Sequence, residues 1–213
     1  MSAEKSDRDP KDITLVAVTK SFPVEAMYSA IECGLFCLGE SRIQETAEKL
    51  PQLENRNKAT VHLIGHLQKN KARKAVKLYD VIQTVDTLKL AQRISQIAGE
   101  FNKIQRIYVQ VNTGQDPLKH GFDSDNLIDA IQEISSLDNI IIEGLMMIPP
   151  HINMGEKYRN IYSQTRILRD ELLAKGMNTC KNLSMGMTRD FEMAIEEGAT
   201  HIRLGTALFG ARP

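Results

Sequence analysis

Cysteine is scarce in this chain, with only Cys33, Cys37 and Cys180 among 213 residues. An odd number in a chain too large to need covalent staples excludes a disulfide scaffold and points to a reducing compartment. No second pair and no suitably spaced histidine completes a zinc site around Cys33 and Cys37, so all three read as small, mostly buried apolar residues. Excess charge of either sign is also lacking, since Lys plus Arg and Asp plus Glu stand at 27 each. Without a net field to gather nucleic acid or an anionic membrane, a small molecule is the partner to expect. No apolar run reaches membrane-spanning length, and the polar stretch from Met1 to Asp12 has no signal-peptide core. The protein is therefore expected to be cytoplasmic. No composition break marks a linker, so 1–213 reads as one domain with a polar tail over 1–12. No G-x-G-x-x-G follows any apolar run, which argues against dinucleotide binding.

What the chain does contain is one recurring pair: a short β-branched run, then a longer amphipathic segment, as in parallel βα units. Strands are predicted at 13–18, 35–38, 61–64, 81–85, 104–111, 140–146, 182–184 and 202–204. The intervening helices are predicted over 23–33, closed by Gly34; 41–50, capped by Ser41 and stopped by Pro51; and 69–78, which is basic. Further helices run from a cap at Asp86 or Thr87 to about 97, over 123–135 and 156–174, and over 191–197 before Gly198. Eight such units predict an α/β protein, a compact (β/α)8 TIM barrel near the lower end of the usual size range of roughly 200–250 residues. An open doubly wound sheet would not need eight regularly spaced strands.

In such a barrel the loops at the C-terminal ends of the strands build the site, which puts Lys20 on the functional face. A lysine after a strand often marks only the chain entering water. Beside a low-dielectric core, however, its neutral amine can condense with an aldehyde to form a Schiff base. Ser184-Met185-Gly186-Met187-Thr188 reads as the end of the seventh strand and a turn whose hydroxyls and N–H groups can donate to a phosphate. An ordinary capped strand-to-helix turn has the same composition. Arg203-Leu204-Gly205-Thr206 ends the eighth strand, and loops after strands seven and eight frequently hold phosphate in this architecture. An arginine inside a strand is costly unless something accepts its hydrogen bonds. An amine, a phosphate cradle and a fixed cation around one mouth fit a phosphorylated aldehyde, with pyridoxal phosphate the obvious candidate.

His62 and His66 lie four apart across a strand and its turn and need not share a face; without a carboxylate ligand nearby no metal site is expected. Lys69, Lys71, Arg73, Lys74 and Lys77 read as a solvated helix face, with an acidic partner or nucleic acid as the minority reading. The nine methionines read as core filler, some of them lining the pocket.

Six segments occur in an order that resembles a known family: Leu15-Val16-Ala17-Val18-Thr19-Lys20; Gly39-Glu40-Ser41-Arg42-Ile43-Gln44-Glu45; His62-Leu63-Ile64-Gly65-His66-Leu67-Gln68-Lys69-Asn70-Lys71; Gly144-Leu145-Met146-Met147-Ile148-Pro149; Ser184 to Thr188; and Ile202 to Gly210. The chain is similar to the pyridoxal phosphate homeostasis proteins, single-domain relatives of the N-terminal barrel of alanine racemase. The resemblance implies that Lys20 forms the Schiff base, that Ser184, Met185, Gly186, Gly205 and Thr206 hold the phosphate, and that Arg203 faces the pyridine nitrogen. Two departures stand out: Ser41 replaces the usual Asn, and the chain begins close to its first strand where relatives commonly carry an additional helix. A cation at the pyridine nitrogen weakens the ring as an electron sink. The chain also ends at Pro213, before any second domain could supply the opposing tyrosine of alanine racemases. The expected function is a carrier without turnover that buffers or delivers pyridoxal phosphate, as a monomer, to apoenzymes that require it. An amino-acid racemase or lyase using Lys20 is the alternative, and a regulatory protein acting through its basic helix is the third reading.

Overall fold

A computed structural model describes residues 2–150 and 155–211. Eight parallel strands pair in chain order and the last returns to the first, closing a barrel. They are β1 (Thr14–Val18), β2 (Cys37–Glu40), β3 (Thr60–Leu63), β4 (Val81–Val85), β5 (Gln105–Gln110), β6 (Ile140–Met146), β7 (Asn182–Met187) and β8 (His201–Leu204). The closing register sets Val16 against Arg203 and Ala17 against Leu204, so the ends of β1 and β8 lie side by side. The helices are α1 (Ser2–Lys5), α2 (Val24–Glu32), α3 (Ile43–Lys49), α4 (Ala72–Leu78), α5 (Leu88–Glu100), α6 (Leu127–Ser135), α7 (Glu156–Ala174), α8 (Phe191–Glu196) and α9 (Thr206–Phe209). No described helix is long and apolar enough to cross a membrane.

The apolar core lies mainly between the strands and their helices, where Ile82, Ile94, Ile107, Leu127 and Leu183 are fully buried. The barrel interior is different. Such interiors are ordinarily filled by layers of bulky branched side chains, but here His62, Gln83, Ser184 and Arg203 are all buried and joined by hydrogen bonds. Gly39 makes room beside this interior, since a β-carbon there would meet Val16 Cγ1 at 3.0 Å and Ile64 Cδ1 at 3.1 Å.

Several expected boundaries shift for physical reasons. The polar tail is docked structure: Ala3 is buried, and the Arg8 guanidinium donates to the carbonyls of Ile195 (2.9 Å) and Ala199 (2.7 Å). Those carbonyls precede β8, so the tail covers the barrel face opposite Lys20. Ser41 does not cap α3; Arg42 occupies the cap position without a side-chain cap bond. Thr87, one of two expected caps, accepts from the Leu90 amide at 3.3 Å. The basic segment opens as a 3-10 turn, Lys69–Lys71, before α4 begins. Of the three cysteines only Cys180 is buried; Cys33 is exposed and Cys37 half-buried. The change that bears on the site concerns β7, which continues to Met187 instead of stopping at Ser184.

Candidate functional site

An open cavity of about 1060 Å³ sits at the C-terminal ends of the strands. β1 contributes Val18 and, just beyond it, Lys20; the exit of β3 contributes Ile64; and the segment after β6 contributes Ile148, Pro149 and Pro150. The rest of the lining is Tyr158 of α7, Met187 to Asp190 at the end of β7, and Arg203, Gly205 and Thr206 of β8 and its turn, next to β1. The amine and the two hydroxyl-bearing turns therefore share one mouth.

The turn holding Lys20 is braced on both sides by one buried group. The Thr19 hydroxyl donates to Glu40 Oε1 at 2.7 Å, and Lys49 Nζ donates to the same oxygen at 2.9 Å and to the Thr19 carbonyl at 3.0 Å. On the other side the Ser21 amide donates to Glu45 Oε1 at 2.6 Å, and Glu45 in turn pairs with Lys49 at 2.5 Å. Ser21 adopts φ 64°, the left-handed region that a non-glycine residue enters only when its surroundings hold it there. Glu40 is fully buried, and burial pushes its carboxyl pKa up against the opposing pull of Lys49 and Thr19. Glu40, Glu45 and Lys49 had no assigned role in the sequence. Glu45 and Lys49 are four apart on one helix, but their other partners lie 9 to 30 positions away, and barrel closure brings those together.

Arg203 is 4 % exposed, with its guanidinium fixed by three bonds to neutral oxygens: Ser184 carbonyl (2.6 Å), Ser184 Oγ (2.9 Å) and Met147 carbonyl (2.7 Å). These acceptors are what makes an arginine tolerable inside a strand. Burial pushes its pKa down to about 10, which leaves it cationic at neutral pH. Ser184 donates onward to Gln83 Oε1 at 2.7 Å. Its hydroxyl is thus committed inside the barrel.

Of the residues singled out in the sequence, Lys20, Arg203, Gly205 and Thr206 reach the cavity. Ser184, Met185 and Gly186 do not line it; all three are buried within β7. Gly186 has φ +91°, and a β-carbon there would lie 2.6 Å from Ala194 Cβ, so it lets β7 bulge against α8. The hydroxyl facing the cavity on this side belongs instead to Thr188, and the Thr206 hydroxyl donates to it at 3.3 Å, joining the two turns. Thr188 closes the Ser184 segment, but a Ser-Met-Gly run reads as a turn until the barrel shows where its hydroxyl goes.

Tyr158 is the phenol of the mouth. Its hydroxyl donates to the Pro150 carbonyl at 2.9 Å, and burial, then Asp190, raise its pKa. His62 and His66 part company: His62 is buried on Gln83, while His66 is exposed and lies 3.2 Å from the Asp86 carboxylate, which follows β4.

Comparisons with known proteins agree with this geometry. Residues 8–213 match the family model for the N-terminal domain of alanine racemase. The pyridoxal phosphate homeostasis protein of Aquifex aeolicus is 36% identical over 211 residues, covering 99% of this chain and 92% of that protein. The structure of PipY from Synechococcus elongatus with pyridoxal phosphate bound superposes with a TM-score of 0.89 at 37% identity, over 98% of this chain and 97% of the other. An alanine racemase of Clostridium difficile, at 17% identity, shares the fold with a TM-score of 0.80 over all of this chain and 55% of its own. Family model, relatives and barrel agree: this chain belongs to the alanine racemase N-terminal-domain family and, within it, to the pyridoxal phosphate homeostasis proteins.

Proposed function

We propose that the chain holds pyridoxal phosphate through Lys20 and releases it to other amines, buffering or delivering the cofactor without catalytic turnover. The observation that carries this reading is Arg203, a buried cation on neutral oxygens at the floor of the cavity, on the strand next to the one that leads to Lys20. When bound, the cofactor supplies an aldehyde that condenses with a primary amine and a ring that can draw off electron density. A guanidinium beside the ring nitrogen keeps a proton off that nitrogen, and carbanion chemistry loses its main driving force. The aldehyde can still be exchanged.

The residues present fit such a ligand. Gly205 brings backbone close, with the place of its missing β-carbon only 3.4 Å from the Val18 carbonyl oxygen, and Thr188 and Thr206 add donors. In this reading Thr188, Gly205 and Thr206 hold the phosphate, Arg203 meets the ring and Lys20 takes the aldehyde. Gly186 and the buried Ser184 and Met185 shape the turn and position Arg203. Tyr158 supports holding over racemisation, because a hydroxyl that donates to the Pro150 carbonyl suits an orienting group. The proposed carrier is a single domain, cytoplasmic and monomeric, whose recipients are apoenzymes that need the cofactor.

Two tests on separate samples of the loaded protein check this: borohydride reduction with mapping of the modified residue, and incubation of the unreduced protein with D- and L-amino acids in deuterated water. Label at Lys20, lost in Lys20→Ala, and no sustained exchange at Cα are the expected results. Continuous Cα exchange with turnover would overturn the carrier reading, and label elsewhere would overturn the assignment of the amine.

A further inference from the structure

Among the described residues one cluster of metal-ligating side chains stands apart from the cavity lining. His66, Asp86 and His120 each offer one ligand atom, and these atoms all lie within 4.8 Å of one another. They come from three consecutive strand exits: His66 after β3, Asp86 after β4, and His120 from the loop after β5. Asp86 Oδ2 is 3.2 Å from His66 Nδ1 and 3.7 Å from His120 Nδ1. The two imidazoles stack, with centroids 3.7 Å apart and planes 10° from parallel.

The backbone carrying the two histidines is fixed. The Thr84 hydroxyl donates to the Gly65 carbonyl at 2.8 Å, tying the turn before His66 to β4. The Gln110 side-chain amide donates to the carbonyl of His120 itself at 2.8 Å. The loop around His120 is clasped by Asn112 and Phe122 (2.9 Å) and by Phe122 and Gln110 (2.8 Å). Asp86 has a side chain only 8% exposed, whereas those of His66 and His120 are 42% and 57% exposed. A nearly buried carboxylate thus faces two imidazoles whose outer side is open to water.

A hydrogen bond to Asp86 needs only one histidine. Two aimed at the same carboxylate oxygen, on separately anchored segments, make a converging ligand set. We propose that His66, Asp86 and His120 form a binding site for a divalent transition-metal ion of the zinc class, its remaining positions open to solvent on the cavity face. Zinc binds imidazole nitrogen and carboxylate oxygen at about 2.0–2.2 Å, which places tetrahedral ligand atoms about 3.3 Å apart. The two distances to Asp86 bracket that value. The stacked rings must turn to bring both Nδ1 lone pairs to one point, and a soft terminal torsion on exposed side chains allows it. Magnesium and calcium are disfavoured because they want more oxygen ligands than the cluster provides.

The test uses the full chain, dialysed against a chelator and titrated with Zn²⁺ by calorimetry and with Co²⁺ by visible absorbance. One ion per chain is expected, with Co²⁺ bands of low coordination number and no sulfur-to-metal charge transfer. His120→Ala, an exposed loop position that leaves the barrel intact, should weaken binding by at least the roughly 10–100-fold that loss of an outer-shell partner costs. Asp86→Asn should do the same, and a Cys33→Ser, Cys37→Ser double variant should bind as before. Binding should also persist in Lys20→Ala, where the amine that would hold a metal-chelating cofactor is gone. Absence of stoichiometric binding, an affinity unchanged in His120→Ala, or binding lost with the cysteines or with Lys20 would each overturn the proposal.

Discussion

A lysine at the edge of a core is only as well placed as its neighbours, and both neighbours of Lys20 are tied to Lys49, Thr19 through Glu40 and Ser21 through Glu45. Lys49→Met would leave Glu40 buried against a lost cation, and breaking a buried pair in this way costs about 3–5 kcal/mol. Denaturant unfolding should show that loss, and adding Glu40→Gln to Lys49→Met should recover most of it. Lys20→Ala should abolish the reducible adduct while circular dichroism still shows a folded barrel, which separates chemistry from scaffold. Lys20 was legible in the sequence because a single apolar strand pattern ends at it. Lys49 was not. Its charge lies on a helix surface by periodicity, and only the closed barrel turns that surface toward Glu40.

At the scale of elements, the turn that ends β7 depends on Gly186 for two separable reasons, a left-handed backbone and the approach of α8. Gly34 offers the comparison, since it too has a positive φ, +79°, but nothing lies within 4 Å of its missing β-carbon. Gly34→Ala should therefore cost only the left-handed strain of about 1–2 kcal/mol. Gly186→Ala should cost that and a further 1–3 kcal/mol or so of overpacking against Ala194, with weaker cofactor retention as the turn moves. Paired denaturant titrations and absorbance of the loaded proteins check both. The eight strands were readable because period and spacing are local properties, and β1, β4 and β6 begin and end within a residue of expectation. The end of β7 was not. Ser and Gly favour turns, and here Arg203 and Gln83 override that preference by satisfying the Ser184 hydroxyl inside the barrel. The tail before β1 was misread for a similar reason: its polarity is real, but Arg8 finds its acceptors some 190 residues away.

Over the whole molecule, the polar barrel interior links stability to pH. Burial, then His201 and Arg106, push the pKa of His62 down to about 3, and burial, then Arg106 and Arg203, push His201 down to about 4, from ordinary values of 6.5. Both are neutral in the fold and take up protons more readily when unfolded, so their contribution is complete above pH 6.5 and is lost as pH falls toward 4. Each adds a slope of about 1.4 kcal/mol per pH unit across that window. Unfolding free energies from pH 7 to pH 4 should fall more steeply than in a His62→Gln, His201→Gln variant; parallel curves would refute the linkage. The row from Arg203 to His62 has a further property. Arg203 has only protons to give, so Ser184 receives there and gives to Gln83 Oε1, which turns the Gln83 amide nitrogen, 2.8 Å away, toward His62 Nδ1 and leaves the imidazole proton on Nε2. The row has one polarity, set at β8 and read out across the barrel at β3. A proton arriving at His62 Nδ1 cannot be accommodated there alone; it would reverse Gln83 and leave the Ser184 hydroxyl without its acceptor, so that acid entering at β3 would be felt at β7, beside Arg203.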